Sequence, residues 1–315
     1  MLSFIIPAYN EGKYISKTIM AIKKHVPEQY VYEVIVVDHG STDETVSLAK
    51  ELGANVFVHQ GGSVASLRNY GAKKAAGDVF VFIDADILLT SQWKQNIEHV
   101  LSALKGGARM LSGSWCCVPE NPNWIEKYWF EPLQKINNTH INSGHMILSR
   151  KQFDELMGFD ESLETGEDYD ISMRSKSLGI EVTENHSLKV IHEGYPKGLW
   201  EFMLREYWHG KGDASSIKSV FKSKVAMISL VFFMLHVGLL FAIFMRFSLL
   251  SIVLCVLGVL LICLCSSYAK YKGESATLIV VNALLYYVYF LSRGVSIITG
   301  FFRRGIKKRQ RSLLG

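Results

Sequence analysis

Val79-Phe80-Val81-Phe82-Ile83-Asp84-Ala85-Asp86-Ile87-Leu88-Leu89 is the stretch that decides how the rest of the chain is read. Val79 to Ile83 is apolar and β-branched or aromatic throughout, and it is too short to cross a membrane. Such a run predicts a strand buried on both faces. It surfaces in two carboxylates one residue apart, where the strand end curls into a turn and both acids can reach one hard cation. Magnesium and manganese favour oxygen ligands of this kind and keep positions open for water and phosphates. An Asp-x-Asp after a strand is also what an ordinary solvated turn looks like. The sequence on either side has to separate the two readings.

Upstream, Leu2 to Ile6 reads as a short strand closed by Pro7, with Ala8-Tyr9-Asn10-Glu11-Gly12 as its turn. Ile15, Ile19 and Ile22 then mark a helix from Lys13 to His25. Val31 to Val37 is a second buried strand, delivering Asp38-His39-Gly40-Ser41-Thr42-Asp43. Ser41 or Thr42 is expected to cap a helix reaching Lys50, with Asp43 and Glu44 in its first turn. Asn55 to His59 is a third strand. Gly61-Gly62 precedes a helix from Ser63 to Ala76 that carries Arg68, Asn69, Lys73 and Lys74. Strand and helix alternating in this way predict an α/β fold with a mainly parallel sheet and helices on both faces. Ligands of such sheets sit at the carboxyl ends of the strands, so Ala8 to Glu11, Asp38 and Asp84/Asp86 should converge on one crevice. A cation held there, with Arg68 and Lys73 nearby, suits a pyrophosphate. No P-loop or dinucleotide glycine pattern is present.

The series Ile6-Pro7-Ala8-Tyr9-Asn10-Glu11, Val37-Asp38-His39-Gly40-Ser41-Thr42-Asp43, Arg68-Asn69 and Asp84-Ala85-Asp86 resembles the nucleotide-sugar half of the family 2 glycosyltransferases. The resemblance implies the GT-A fold, Rossmann-like, over residues 1–215. Residues 1–90 would form the nucleotide-sugar half, and 91–215 the acceptor half with a membrane-proximal collar. Pro7, Ala8, Tyr9, Glu11, Asp38, Arg68 and Asp84 would bind the donor. Asp86 and Asp84 would serve the Mn2+ or Mg2+ site, Asp86 as the direct ligand and Asp84 by holding the ribose or a metal-bound water. Where relatives often carry two consecutive acids after the second strand, this chain has Asp38-His39. A UDP-sugar is the preferred expectation for the donor, weakened by that histidine.

Downstream, Asn142-Ser143-Gly144-His145-Met146-Ile147-Leu148 resembles the family's acceptor-side strand, and Gly166-Glu167-Asp168-Tyr169-Asp170 its Glu-Asp motif. The match makes Asp168 the general base of an inverting transfer. Neighbouring acids would raise its pKa, which suits a base working near neutrality. Without the upstream cleft, the same acids would be read as decoration of a helix start. His192 ends another apolar strand, where relatives often place a further metal ligand; an isolated histidine there is equally a structural one.

Charged residues make up 20% of the chain, yet none lies in 225–245 or 247–268. Each stretch exceeds the roughly 20 apolar residues that cross a bilayer as a helix. These are expected transmembrane helices, with Arg246 at their turn and Lys270 and Lys272 after them. A third apolar stretch, 276–302, carries Arg293-Gly294 midway. It reads either as a third span or as an interfacial segment broken at that pair. The tail, 303–315, holds Arg303, Arg304, Lys307, Lys308, Arg309 and Arg311 without an acid, a composition suited to anionic lipid headgroups and not, after apolar helices, to nucleic acid. Tyr195, Trp200, Phe202, Tyr207 and Trp208, interleaved with Arg205, His209, Lys211 and Lys218, form an aromatic and basic collar before the spans. The five cysteines, Cys116, Cys117, Cys255, Cys263 and Cys265, follow no zinc or disulfide spacing and read as small apolar residues.

The start lacks a basic n-region and a long apolar h-region, so the catalytic part is expected in the cytoplasm, at the inner (plasma) membrane. The expected activity is metal-dependent transfer of a sugar from a nucleotide donor to a hydroxyl of a lipid-linked acceptor, in polysaccharide or glycoconjugate synthesis. Transfer to polyprenyl phosphate itself is the near variant. The rival of another class is a non-catalytic sugar-nucleotide-binding subunit of an assembly complex. A transporter is disfavoured because the spans carry almost no polar residues.

Overall fold

The computed structural model describes residues 1–114, 116–135, 139–213, 220–221 and 223–313, and the side chains of these other than 213 and 302–313. Lys218 of the collar and the side chains of the basic run after residue 302 lie outside the described residues. The chain forms two compact units, Met1–Pro122 with Phe130–Tyr195, and Asn123–Trp129 with Pro196–Gly315.

The first unit contains β1 (Leu2–Ala8), α1 (Ile15–His25), β2 (Tyr32–Asp38), α2 (Thr45–Glu51), β3 (Asn55–Val58), α3 (Val64–Lys74), β4 (Val79–Ile83) and β5 (Ile87–Leu89). It continues through α4 (Ser91–Lys105), β6 (Met110–Gly113), β7 (Cys116–Cys117), β8 (His145–Ser149), α5 (Arg150–Glu155), α6 (Glu167–Ser177), β9 (Glu181–Glu184) and β10 (Val190–His192). Seven strands form one sheet in the order β3-β2-β1-β4-β8-β6-β9. All neighbours are parallel except those of β8, which runs antiparallel to both β4 and β6. The central strands carry near-continuous apolar runs because both faces are covered; β4 is wholly apolar, while Ser3 of β1 donates its hydroxyl to Glu33 of β2. Phe4, Ile6, Val34, Val36, Val81 and Ile83 pack with Ile15, Ile19 and Trp93 on one side. Their alternates Ile5, Ile35, Val37, Phe80 and Phe82 pack with Leu67, Phe153, Phe159 and Ile171 on the other.

Three local expectations change. β1 does not stop at Pro7 but runs to Ala8. Its pairing to β4 ends at Ile5↔Phe82, so the missing Pro7 N–H falls beyond that ladder. Neither Ser41 nor Thr42 caps α2, which begins later, at Thr45. The Asp43 carboxylate accepts the Thr45 N–H (3.1 Å), while the Thr42 N–H donates to Asn10 Oδ1 (2.9 Å), tying the β2 turn to the β1 turn. Finally, β4 closes at Ile83 and Ile87 opens a different, three-stranded sheet, β5-β10-β7. Asp84-Ala85-Asp86 is therefore the link by which the chain leaves one sheet and enters the other.

The second unit comprises α7 (Leu199–Asp213), α8 (Lys224–Phe244), α9 (Leu249–Lys270) and α10 (Ala276–Leu313). α8, α9 and the Ala276–Phe301 part of α10 are long and apolar enough to cross a membrane. α10 is continuous, so the break expected at Arg293-Gly294 is absent. Arg293 is tolerated because its guanidinium pairs with the buried Glu206 of α7, with Nη2 3.1 Å from Oε2. Gly294 is needed for close approach, since a Cβ there would lie 2.8 Å from the Ser229 carbonyl of α8. α7 is two-sided: Phe202, Glu206 and Gly210 are buried, whereas Trp200, Leu204 and Trp208 are exposed.

Candidate functional site

The link between the two sheets is held from both ends. The Asp84 N–H donates to the Gly144 carbonyl (3.2 Å), and the Glu193 N–H donates to the Asp86 carbonyl (2.9 Å). Between them Ala85 is buried, and its carbonyl accepts from Thr18 Oγ1 of α1 at 2.7 Å. The two carboxylates thus leave a clamped backbone link, Asp84 beside the large sheet and Asp86 beside the small one.

Asp84 turns toward the large sheet. Its Oδ1 lies 2.6 Å from Arg68 Nη2, and the same guanidinium reaches Glu167 Oε1 at 2.8 Å through Nη1. Glu167 Oε1 also accepts from Ser143 Oγ at 3.0 Å. Arg68 is only 2% exposed, and its planar fork is committed to two carboxylates from distant parts of the chain. Burial alone would lower the guanidinium pKa, but Asp84 and Glu167 outweigh it and hold the cation. Arg68 thus forms an internal bridge from the acidic link to the start of α6. Lys73 lies exposed in the last turn of α3.

Asp86 turns toward the small sheet. β10 pairs antiparallel with β5 in the register His192↔Ile87, which brings His192 Nε2 to 3.6 Å from Asp86 Oδ2. The imidazole is stacked on Tyr195 (ring centroids 4.0 Å), which in turn stacks on Phe130 (4.1 Å) and donates its hydroxyl to the Cys116 carbonyl at 2.8 Å. Gly194 closes this side: a Cβ there would fall 1.9 Å from Asp86 Oδ2. No side chain other than hydrogen leaves the carboxylate its place. Nothing in the sequence around His192 flags that glycine.

Glu11, from the β1 turn, completes the acidic surface. Burial, then the charges of Asp86, Asp84 and Asp43, push its carboxyl up from the usual range to about 8. The buried Cys116 thiol is also pushed well above its ordinary value, by burial and then by Asp84 and Asp86. This part of the crevice carries surplus negative charge, the electrostatic condition under which a cation is attracted. Among the described residues no three His, Cys, Asp or Glu side chains converge as a ready-made metal cluster. The Asp86 carboxylate and His192 imidazole nevertheless form a mixed oxygen and nitrogen donor set that suits manganese, and the surplus charge fits a divalent ion. Remaining ligands would come from water and phosphate.

Asp38 is 1% exposed, and its carboxylate accepts the N–H groups of Gly40 and Ser41, both at 2.8 Å, as well as the Ser41 hydroxyl. It builds the β2 turn. The ring presented at that strand end is His39, edge-on to the exposed Tyr9 at 5.8 Å. Pro7 and Ala8 are buried within β1.

Asp168 stands in the first turn of α6, after Gly166, whose φ of +86° is the left-handed conformation glycine tolerates. Its pKa is raised, by burial first and Glu167 second, while His140 and Arg68 pull it down. A half-buried carboxylate with a raised pKa at the head of a helix has the properties of a general base. Arg68 is connected to it through Glu167, the adjacent residue.

Residues 3–157 match the family model described as glycosyl transferase family 2. Glycosyltransferase AglE of Haloferax volcanii is 28% identical over 70% of this chain and 77% of its own length. Mannosyltransferase PcManGT from Pyrobaculum calidifontis, solved with GDP-Man and Mn2+, superposes with a TM-score of 0.59 at 16% identity, over 94% of this chain and 86% of that one. GalNAc-T7, solved with UDP, GalNAc and Mn2+, gives a TM-score of 0.52 at 18% identity; the match covers 69% of this chain and about half (51%) of that one. The two structural likenesses concern the fold. The family match places residues 3–157 in the family 2 glycosyltransferases, and the structural likenesses give the first unit a GT-A fold.

Proposed function

We propose that the protein is a membrane-anchored, metal-dependent, inverting glycosyltransferase that moves a sugar from a nucleotide-sugar to a hydroxyl of a lipid-linked acceptor, on the cytoplasmic face of the plasma membrane. The observation that carries the reading is the divided acidic link: Asp84 bound through Arg68 to the helix that bears Asp168, and Asp86 paired with His192. In this reading Asp86 and His192 hold the divalent ion, which when bound neutralises charge on the donor's diphosphate. Asp84 orients the ribose side of the donor. Asp168 takes the proton of the acceptor hydroxyl as its oxygen bonds to the anomeric carbon. The bond from that carbon to the diphosphate breaks with its electron pair, and the nucleoside diphosphate leaves.

Two features support a lipid acceptor and the membrane. α8 and α9 have the length and composition of spans, and α7 exposes Trp200, Leu204 and Trp208 on one side in the manner of an interfacial helix. Lys270 at the end of α9 and Lys272 after it favour the cytoplasmic side for the segments on that side of the bilayer. For the nucleotide, a structural neighbour was solved with UDP and another with GDP-Man, so both donor classes belong in the test. Purified protein is assayed with UDP- and GDP-sugars, with and without Mn2+, against polyprenyl-linked and soluble sugar acceptors. Release of nucleoside diphosphate that requires Mn2+ and the polyprenyl-linked acceptor is expected. Equal turnover of soluble sugars removes the lipid acceptor, and transfer to polyprenyl phosphate itself moves the acceptor to the phosphate oxygen.

A further inference from the structure

The contacts of α10 inside the second unit determine its course. Ile297 packs with Ala226 near the start of α8, and Gly294 lies against Ser229 and Phe233. Phe290 meets Phe232, and the Tyr287 hydroxyl is 3.0 Å from His236 Nε2. As residue numbers fall along α10 they rise along α8, so the two helices run in opposite senses. α8 and α9 form an ordinary antiparallel hairpin, with Gly258 of α9 against Leu235 of α8. α9 therefore ends on the side of the bilayer where α8 began, and α10 starts on that same side. A third crossing would have to leave in the direction of α8. α10 instead runs back toward the beginning of α8.

Its other partners lie on that side as well. Asn282 Nδ2 donates to the Tyr128 carbonyl, and Tyr286 and Tyr289 pack on Trp129 at ring-centroid distances of 4.9 and 5.3 Å. Further along, Arg293 pairs with Glu206, and the Thr299 hydroxyl is 2.9 Å from that of Tyr207. Tyr128, Trp129 and α7 all precede the first span. Asn282 to Thr299 covers about 25 Å of helix at 1.5 Å per residue, close to the thickness of the hydrocarbon core. Both ends of that length touch segments that have not crossed. Burial agrees, since 39% of the apolar window of α10 is buried inside the protein, against 17% in α8 and 11% in α9.

We infer that α10 does not cross the membrane: α8 and α9 are the only crossings among the described helices, and α10 lies along the leaflet from which α8 departs. Its basic continuation, from Arg303 to Arg311, is then delivered to anionic headgroups of the leaflet that borders α7. This also satisfies the bias of basic segments to one side, which a third crossing would violate. The inference rests on α8 and α9 spanning the bilayer and is independent of donor and acceptor.

The test uses the full chain in bacterial cells, with a side-sensitive reporter inserted at Gly273, in the α8–α9 turn after Phe247, or fused after Gly315. Reporters at 273 and 315 on one side and at 247 on the other are the expected result. Position 315 opposite to 273 overturns the in-plane helix. Position 247 on the same side as 273 overturns the crossings on which it rests, leaving the catalytic reading untouched. Because an inserted reporter can disturb folding, a short epitope after Gly315 provides a second measurement in sealed vesicles. It is expected to be digested by added protease in the same vesicle orientation as an epitope inserted at Gly273, and digestion in the opposite orientation overturns the inference.

Discussion

Replacing Arg68 by methionine is the sharpest test of the site's architecture. The side chain is buried and bridges Asp84 at 2.6 Å and Glu167 at 2.8 Å; Glu167 is itself buried with Ser143 as its further partner. Methionine retains most of the volume and removes the charge, so the loss comes mainly from carboxylates left without a cation. Breaking a buried pair by removing one partner costs about 3–5 kcal/mol. Asp84, which is 34% exposed at its side chain, can recover some hydration, so the lower end of that range is expected. At about 2–4 °C per kcal/mol for a domain of this size, the thermal midpoint of the protein in detergent should fall by roughly 10 °C. The double variant Arg68→Met/Glu167→Gln should recover a large part of the loss, because the most deeply buried unpaired charge is then gone. A second readout separates positioning from stability. Arg68 lowers the Asp168 pKa, and the carboxylate is the form that accepts a proton. Without Arg68 the acidic limb of the kcat/KM profile should move to higher pH, and Arg68→Lys, which keeps the charge, should move it back. A midpoint within about 2 °C of wild type for Arg68→Met, with an unmoved acidic limb, would refute the bridge.

Four further outcomes follow from the site. Asp168→Asn should lower kcat by about 10²–10⁴ with nucleotide-sugar binding by calorimetry unchanged; retained turnover would reassign the base. Asp86→Ala should abolish both Mn2+-stimulated turnover and the rise of thermal midpoint on adding Mn2+. Gly194→Ala, which pushes a methyl group into the space of Asp86 Oδ2, should weaken Mn2+ dependence in the same direction while sparing the fold. Glu11, raised from 4.5 to about 8, binds its proton more tightly in the folded state. Its contribution to stability is therefore present at low pH and is lost as pH rises from the unfolded value through about 8, so the thermal midpoint should decline over that window and the decline should flatten in Glu11→Gln.

The large sheet was legible because its central strands carry near-continuous apolar runs, the pattern of a doubly covered strand. The acidic link was legible for the same reason, since Asp84 and Asp86 follow directly on such a run. What the sequence could not display is the pairing of a three-residue strand, Ile87–Leu89, with β10 about a hundred residues later. Without that partner the second sheet has no signal, and His192 has no stated neighbour. Arg68 illustrates the opposite difficulty. On a helix with Lys73 and Lys74 it looks like one member of a basic surface, and its burial comes from Glu167, whose position depends on the close of the whole unit. α10 is a third case: Arg293-Gly294 reads as a weak point until Glu206 and Ser229, from two other helices, occupy the two positions.

These cases share a physical consequence for the link itself. Asp84 and Asp86 are two residues apart, but the first is held by Gly144 and Arg68 against the large sheet and the second by Glu193, Gly194 and His192 against the small one. Their spacing is thus set by how the two sheets pack and not by the turn alone. Thr18 of α1 fixes Ala85 between them, and α1 also packs against the apolar side chains of both sheets, with Ile15 and Ile19 in the same cluster as Val81, Ile87 and Val190. A carboxylate pair positioned by three separate packing elements can hold a defined separation without help from a bound ion. That rigidity is what an acidic crevice needs if it is to keep its charges close in spite of their mutual repulsion.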